Sequence, residues 1–131
     1  MTTTTNDGLE IVGDLIIGNV DAVIDAIAVG SGTGSEGNDA TSLNNEEHRS
    51  AVTDSNVELI ETGQTGQSEL IIRVKGGTEV DAGTPVTEIG AFFNGAGGGG
   101  TLGFVDNFNA VVVDAGHTEE FTIPVDIKHI E

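Results

Sequence analysis

The sequence predicts an all-β fold: an antiparallel, jelly-roll-like β-sandwich with one short helix near residues 41–50. Apolar residues recur mostly with a period of two, the pattern of half-buried strands. Turn signals rich in Gly, Asp, Asn and Pro break these runs at 30–37, 62–67, 76–77, 81–85, 95–100 and 115–116, which suits an antiparallel β protein. The alternating helices of a parallel α/β sheet are missing.

In chain order, the polar start MTTTTNDG makes residues 1–7 a flexible N-terminal segment, with a single β-sandwich domain over 8–131. Leu9, Ile11, Leu15 and Ile17, around Gly13, read as a first strand. Over residues 20–28, Val20, Val23, Ile24 and Ile27 would fit a helical stripe, but the length and flanks favour a strand. The helix is placed within 41–50. Leu70, Ile72 and Val74 alternate with Ile71, Arg73 and Lys75 as a half-buried strand. From 102 to 113, Leu102, Phe104, Phe108, Ala110 and Val112 share parity with Asp106, a conflict that a bulge near Asp106 and Asn107 would remove. In the last run Phe121, Ile123, Val125 and Ile127 face one way, and Thr122, Pro124, Asp126 and Lys128 the other. Pro124 cannot donate to a ladder, so this strand should lie at a sheet edge or turn the proline nitrogen away from a partner.

The length of 131 residues suits one domain with its own core. With five Phe and neither Tyr nor Trp, that core is built from Val, Ile, Leu and Ala, and a homo-oligomeric interface would add to its burial. Charge is the stronger constraint: 22 acidic residues face only Arg49, Arg73, Lys75 and Lys128, for a formal charge of −18. Such self-repulsion destabilises a compact state at ordinary ionic strength. In molar salt the Debye length falls to about 3 Å and the repulsion is screened. A halophilic source is the simplest reading. The surface argues against binding nucleic acid, which needs clustered Lys and Arg, and against anionic membranes. Cysteine is absent, so disulfides and thiolate metal sites are excluded. The start lacks the basic and apolar regions of a secretory signal, and no apolar run approaches a spanning helix, so a soluble chain without a classical signal is expected.

No motif carries recognisable catalysis. Gly32, Gly34 and Gly37 fit a GxGxxG spacing, but Glu36 would sit among the phosphate-binding amides and the residues that follow lack an apolar stripe. The glycine cluster at 95–100 lacks the Lys and Ser/Thr of a phosphate loop and reads as a flexible connection at a rim. His48, His117 and His129 have no metal-binding spacing. Asp106, Asn107 and Asn109 offer oxygen ligands to a hard cation, without the spacing of an EF-hand loop. Glu46-Glu47 and Glu119-Glu120 are paired carboxylates, but no Trp or Tyr is present to wall a sugar site. A GxSxG elbow is missing too. The expectation is a noncatalytic protein with no cofactor, no catalytic residues and no dedicated metal ligands.

The segment VGSGTGSEGNDATSLNNEEHRSAV resembles a pattern of tailed-virus, phage-like tail-collar and tail-fibre structural proteins. In that pattern a G-x-G-T loop leads into D-T-x-L-x-x-E-x-x-R and a small residue before a strand. Gly30, Gly32, Thr33, Asp39, Thr41, Leu43, Glu46, Arg49 and Val52 occupy those places. Further on, Glu88, Gly90, Phe92 and Asn94 resemble the family's E-x-G-L-F-[DN] strand, followed by a glycine-rich turn and Thr101-Leu102. The run from Ala115-Gly116 into 120–125 resembles its final strand. Ala40, Ala91 and Phe93 depart from the pattern.

The resemblance implies a structural subunit of a virion, in a tail fibre, collar or baseplate, acting as an adaptor or host-attachment head. With the acidic surface it suggests a virus of haloarchaea. The partners implied are further copies of the chain, as a homotrimer, other virion proteins, and a host-surface glycan or S-layer. A capsid decoration or vertex turret subunit, pentameric or hexameric, is the alternative in the same setting. A carbohydrate-binding or lytic virion module is the alternative of another class. On the motif itself, Leu43 and Val52 would anchor the short helix to the sandwich, and Arg49 would pair with an acid such as Glu88 to fix the loop.

Overall fold

A computed structural model describes residues 2–19, 22–34, 37–61 and 67–126, with the backbone alone at 61, 67 and 126. In chain order the elements are β1 (Thr3–Thr4), α1 (Asn6–Ile16), β2 (Ile24–Gly30), β3 (Glu46–Ala51), β4 (Val57–Glu61), β5 (Gln67–Lys75), β6 (Thr84–Phe93), β7 (Thr101–Val113) and β8 (Thr118–Asp126). The strands form two antiparallel sheets, ordered β1-β7-β6-β2-β3 and β4-β5-β8. The predicted β-sandwich is therefore observed.

The alternation read from the sequence builds the core between the sheets. Leu70, Ile72 and Val74 of β5 and Phe121 and Ile123 of β8 meet Ile27 and Val29 of β2, Ile89, Ala91 and Phe93 of β6, and Phe104 of β7. The rings of Phe108 and Phe121 stack across the layers with centroids 5.7 Å apart. Strand β8 lies at an edge, one of the two placements that Pro124 allows. On the other face of this narrower sheet Arg73 bridges Glu58 of β4 at 2.7 Å and Glu120 of β8 at 2.8 Å. Its hydrogen bond to Glu58, aided by the nearby Glu120, raises its already high pKa further.

Three expectations are corrected. Residues 9–17 are helical through Ile16 and not a strand, because Thr5 caps α1 by accepting from the Gly8 amide at 2.9 Å and Asp7 lies in the first turn. Ile11, Val12 and Leu15 make a helical stripe against the inner core, a spacing that the parity of Leu9, Ile11, Leu15 and Ile17 concealed. The segment 1–7, expected to be flexible, is tied down over much of its length. Thr3 and Thr4 pair with Val105 and Phe104, Thr5 is fully buried, and the Thr5 amide donates to the Gly103 carbonyl at 2.9 Å.

The third correction concerns 41–50, where the helix was placed. Residues 46–51 form β3, paired with β2, and the preceding residues turn. Leu43 is the lone apolar residue between Thr41 and Arg49, too little for a helical stripe, and Ser and Asn side chains compete with helical backbone bonds. The expectations for Val20, Glu36, the turn at 62–66, Ile127, Lys128 and His129 lie outside the described residues, as does that for the side chain of Asp126.

The parity conflict in β7 is resolved by two bulges flanking Asp106. Phe92 and Ala91 pair with Leu102 and Phe104, leaving Gly103 extra, while Val86 and Glu88 pair with Val111 and Asn107, leaving two extra residues within 108–110. The first bulge turns Leu102 outward and Phe104 inward. It also receives α1, because Gly8 sits so close to Gly103 that a Cβ on Gly8 would lie 2.6 Å from its carbonyl oxygen. Gly8→Ala should therefore destabilise the protein by about 1–3 kcal/mol despite alanine's better helix propensity. Gly13→Ala, where a Cβ meets nothing within 4 Å, should stabilise it by about 0.5–1 kcal/mol. Urea unfolding of both variants checks the pair, and equal shifts would overturn the close approach.

Candidate functional site

The wide sheet is covered on its outer face as well. Ala26 and Ala28 of β2, Phe92 of β6, and Leu102 and Val105 of β7 form a second apolar cluster, closed by Leu43 from the connection between β2 and β3. Leu43 keeps only 5% of its surface exposed, with Ala40 beside it. Gly90 makes its seat: a Cβ there would lie 2.7 Å from Leu102 Cδ1 and 3.1 Å from Leu43 Cδ2. The connection thus lies over the sheet as an outer layer.

Glu88, directed outward from β6 and fully buried, fastens that layer. Its Oε2 accepts from the amides of Gly32 at 2.9 Å and Asn45 at 2.8 Å, and its Oε1 from the amide of Asn44 at 3.0 Å. An ionised carboxylate gains more from such bonds than a neutral acceptor, and convergent backbone N–H groups form an anion-holding nest. The carboxylate also dictates the glycines. A Cβ on Gly32 would come within 2.8 Å of Glu88 Oε2 and 2.6 Å of Asn44 Cβ, and one on Gly30 would collide with the same carboxylate and the Asn45 carbonyl.

Neighbouring bonds extend the fastening. Thr87 Oγ1 donates to the Gly32 carbonyl, Asn44 Nδ2 to the Thr33 carbonyl, and the Ser31 amide to the Asn45 carbonyl at 2.9 Å. A bulge at Glu47, between the pairs Val29–His48 and Gly30–Glu46, brings its Oε1 to Ser31 Oγ at 2.9 Å and Asn45 Nδ2 at 3.0 Å.

A second fastening holds the glycine turn after β6. Arg49 reaches from β3 to donate to the carbonyls of Gly95 at 3.0 Å and Gly99 at 2.6 Å. Its guanidinium lies 3.8 Å from the Phe92 ring centroid and pairs bidentately with Glu46, at 2.6 and 3.0 Å. Asp25, the extra residue of a bulge in β2, accepts from the amides of Gly95 at 2.7 Å and Ala96 at 3.2 Å. The connection expected to be loose at 95–100 is therefore held at both its carbonyls and its amides. Gly98, Gly99 and Gly100 all have positive φ, which is why glycines fill it.

The structure brings together Gly30, Gly32, Leu43, Arg49, Glu88, Gly90 and Phe92 of the residues singled out from the sequence. Thr33 lies at the margin, exposed, while Asp39 and Thr41 are exposed and outside the patch. Arg49 pairs with an acid as expected, but the acid is Glu46 and not Glu88, whose carboxylate accepts from main-chain amides. Sequence reasoning missed Asp25, Asn44, Asn45 and Thr87. Asp25 left a signal, as a lone acid inside the apolar run VIDAIAVG, whereas an amide donor leaves none.

Beside the patch an open depression of about 320 Å³ is lined by Thr33, Gly34, Thr87, Asn107, Phe108 and Asn109. Its amides, hydroxyls and one aromatic ring can hydrogen-bond and pack against a small neutral polar group. Among the described residues no group of three or more His, Asp or Glu side chains is placed to hold a metal ion.

Glu88→Gln preserves shape but turns an NH₂ group toward main-chain donors, and should lower stability by about 1–3 kcal/mol. A urea midpoint that did not move would mean the connection is held by other bonds. Arg49→Ala should cost about 1.5–3 kcal/mol through the lost charged hydrogen bonds and ring contact, against less than about 1 kcal/mol for the more exposed Glu46→Ala. Equal losses in the two variants would assign the stability to the ion pair instead.

No protein-family model, curated protein or solved structure matches the chain.

Proposed function

We propose that the chain is a noncatalytic structural subunit of a tailed-virus virion, in a tail fibre, collar or baseplate. It would serve there as an adaptor or host-attachment head, as a homotrimer among other virion proteins. One observation carries the reading. Gly30, Gly32, Leu43, Arg49, Glu88, Gly90 and Phe92, seven of the residues that carry the resemblance to tail-collar and tail-fibre proteins, meet in one patch where the polar side chains fasten main chain. A buried carboxylate spent on three amides stiffens a connection, which is what a part assembled once and loaded mechanically requires.

The charge of −18 supports a haloarchaeal virus, since molar salt screens it and a hydrated acidic surface stays non-sticky. A second reading, carbohydrate binding on the virion, draws on the open polar depression at Thr33, Thr87, Asn107, Phe108 and Asn109, whose amide and hydroxyl groups suit a host-surface glycan.

Absolute mass by light scattering, in multimolar salt and after dialysis to low salt, tests the proposal. A trimer held together only in high salt is expected. A pentamer or hexamer would move the assignment to a capsid decoration or vertex turret subunit. A monomer indifferent to salt would overturn both the assembly role and the habitat.

A further inference from the structure

The turn after β6 opens on Asn94-Gly95, with Asn94 exposed and held at φ 53°, the only described non-glycine residue with positive φ. Glycine after asparagine leaves the attacking backbone nitrogen unshielded by a side chain, so this dipeptide is prone to losing its side-chain amide in flexible chains. Here the reacting groups are engaged. The Gly95 amide donates to Asp25 Oδ1 at 2.7 Å, and Asn94 Oδ1 accepts from the Val23 amide at 3.3 Å. The Asn94 amide donates to the Val23 carbonyl at 2.9 Å.

We propose that Asn94 is a site of spontaneous deamidation which Asp25 holds closed in the folded protein. In the reaction the Gly95 nitrogen gives its proton to water or hydroxide and attacks Asn94 Cγ, forming a C–N bond. The side-chain nitrogen leaves as ammonia after taking up a proton. Water then opens the five-membered succinimide at either carbonyl, leaving aspartate or isoaspartate. The net change is amide plus water to acid plus ammonia, with no redox partner.

Two physical effects of Asp25 oppose the first step. Deprotonating the Gly95 nitrogen would create an anion 2.7 Å from a carboxylate oxygen, a like-charge contact. Ring closure would also break the bonds from Asp25 to Gly95 and Ala96 and release Asn94 from Val23. Gly95 cannot drift to compensate, because Gly100 packs onto it so tightly that a Cβ on Gly100 would lie 2.7 Å from Gly95 Cα. Conversion would place a new negative charge beside Asp25 in the turn that Arg49 grips, and in the isoaspartate product an extra backbone methylene as well.

The test incubates wild type and Asp25→Ala at mildly alkaline pH in high salt, beside urea-unfolded wild type. The proteolytic peptide spanning residue 94 is followed by chromatography and mass spectrometry for the amide-to-acid mass gain and its two isomeric products. Folded wild type should convert at least about tenfold more slowly than the unfolded chain, because local opening must precede attack. Folded Asp25→Ala, its structure checked by circular dichroism, should approach the unfolded rate. Equal rates in folded and unfolded wild type, or an unchanged rate in folded Asp25→Ala, would overturn the proposal. If that variant does not fold, conversion of wild type across a urea series decides. A rate that rises below the global midpoint supports a locally held turn, and one that stays flat until global unfolding overturns it.

Discussion

A single buried carboxylate organises the outer layer of this protein. Glu88 holds three amides of the β2–β3 connection, and that connection carries Leu43 onto the second apolar cluster, which in turn lets β2 and β6 be buried on both faces. Removing an acid from water is costly unless every lone pair finds a donor. With only four Lys and Arg in the chain, main-chain N–H groups supply what cations supply elsewhere. The same device recurs: Asp25 takes the Gly95 and Ala96 amides, Asp54 the Ala51 amide and Glu79 the Lys75 amide. The two arginines are spread in compensation, each over several acceptors. An acidic composition is thus part of the architecture as well as of the surface.

Legibility of the fold followed solvent exposure. Strands β5 and β8 were readable because one face of each meets water, so alternation survives in the letters, and Pro124 marked the edge. Strand β7 was half readable, since Asp106 demanded a bulge but not the two that flank it. Helix α1 was missed because its stripe is short, lies among glycines and ends in the exposed Ile16 and Ile17, which dilute any periodic signal.

At the patch, the glycine spacing and the identities of Glu88, Arg49 and Phe92 stood out as a pattern, but their partners did not. Two charges of opposite sign suggested each other. The structure pairs Glu88 with backbone donors, which every residue but proline owns, and Arg49 with backbone acceptors and a nearer acid. Pairing that uses the main chain is set by topology, and topology is what a pattern of side chains conveys least.

The cap of α1 also bears on how the chain is made. Thr5 bonds to the carbonyls of Leu102 and Gly103, which lie 97 and 98 residues further along, and β1 pairs with the same stretch of β7. On the ribosome these bonds of Thr5 and β1 cannot form until most of the domain has been synthesised. Such distant closure places the chain among the slower-folding topologies. In the interval its acidic residues keep unfinished copies apart, so the surface that suits the finished protein also protects the nascent one.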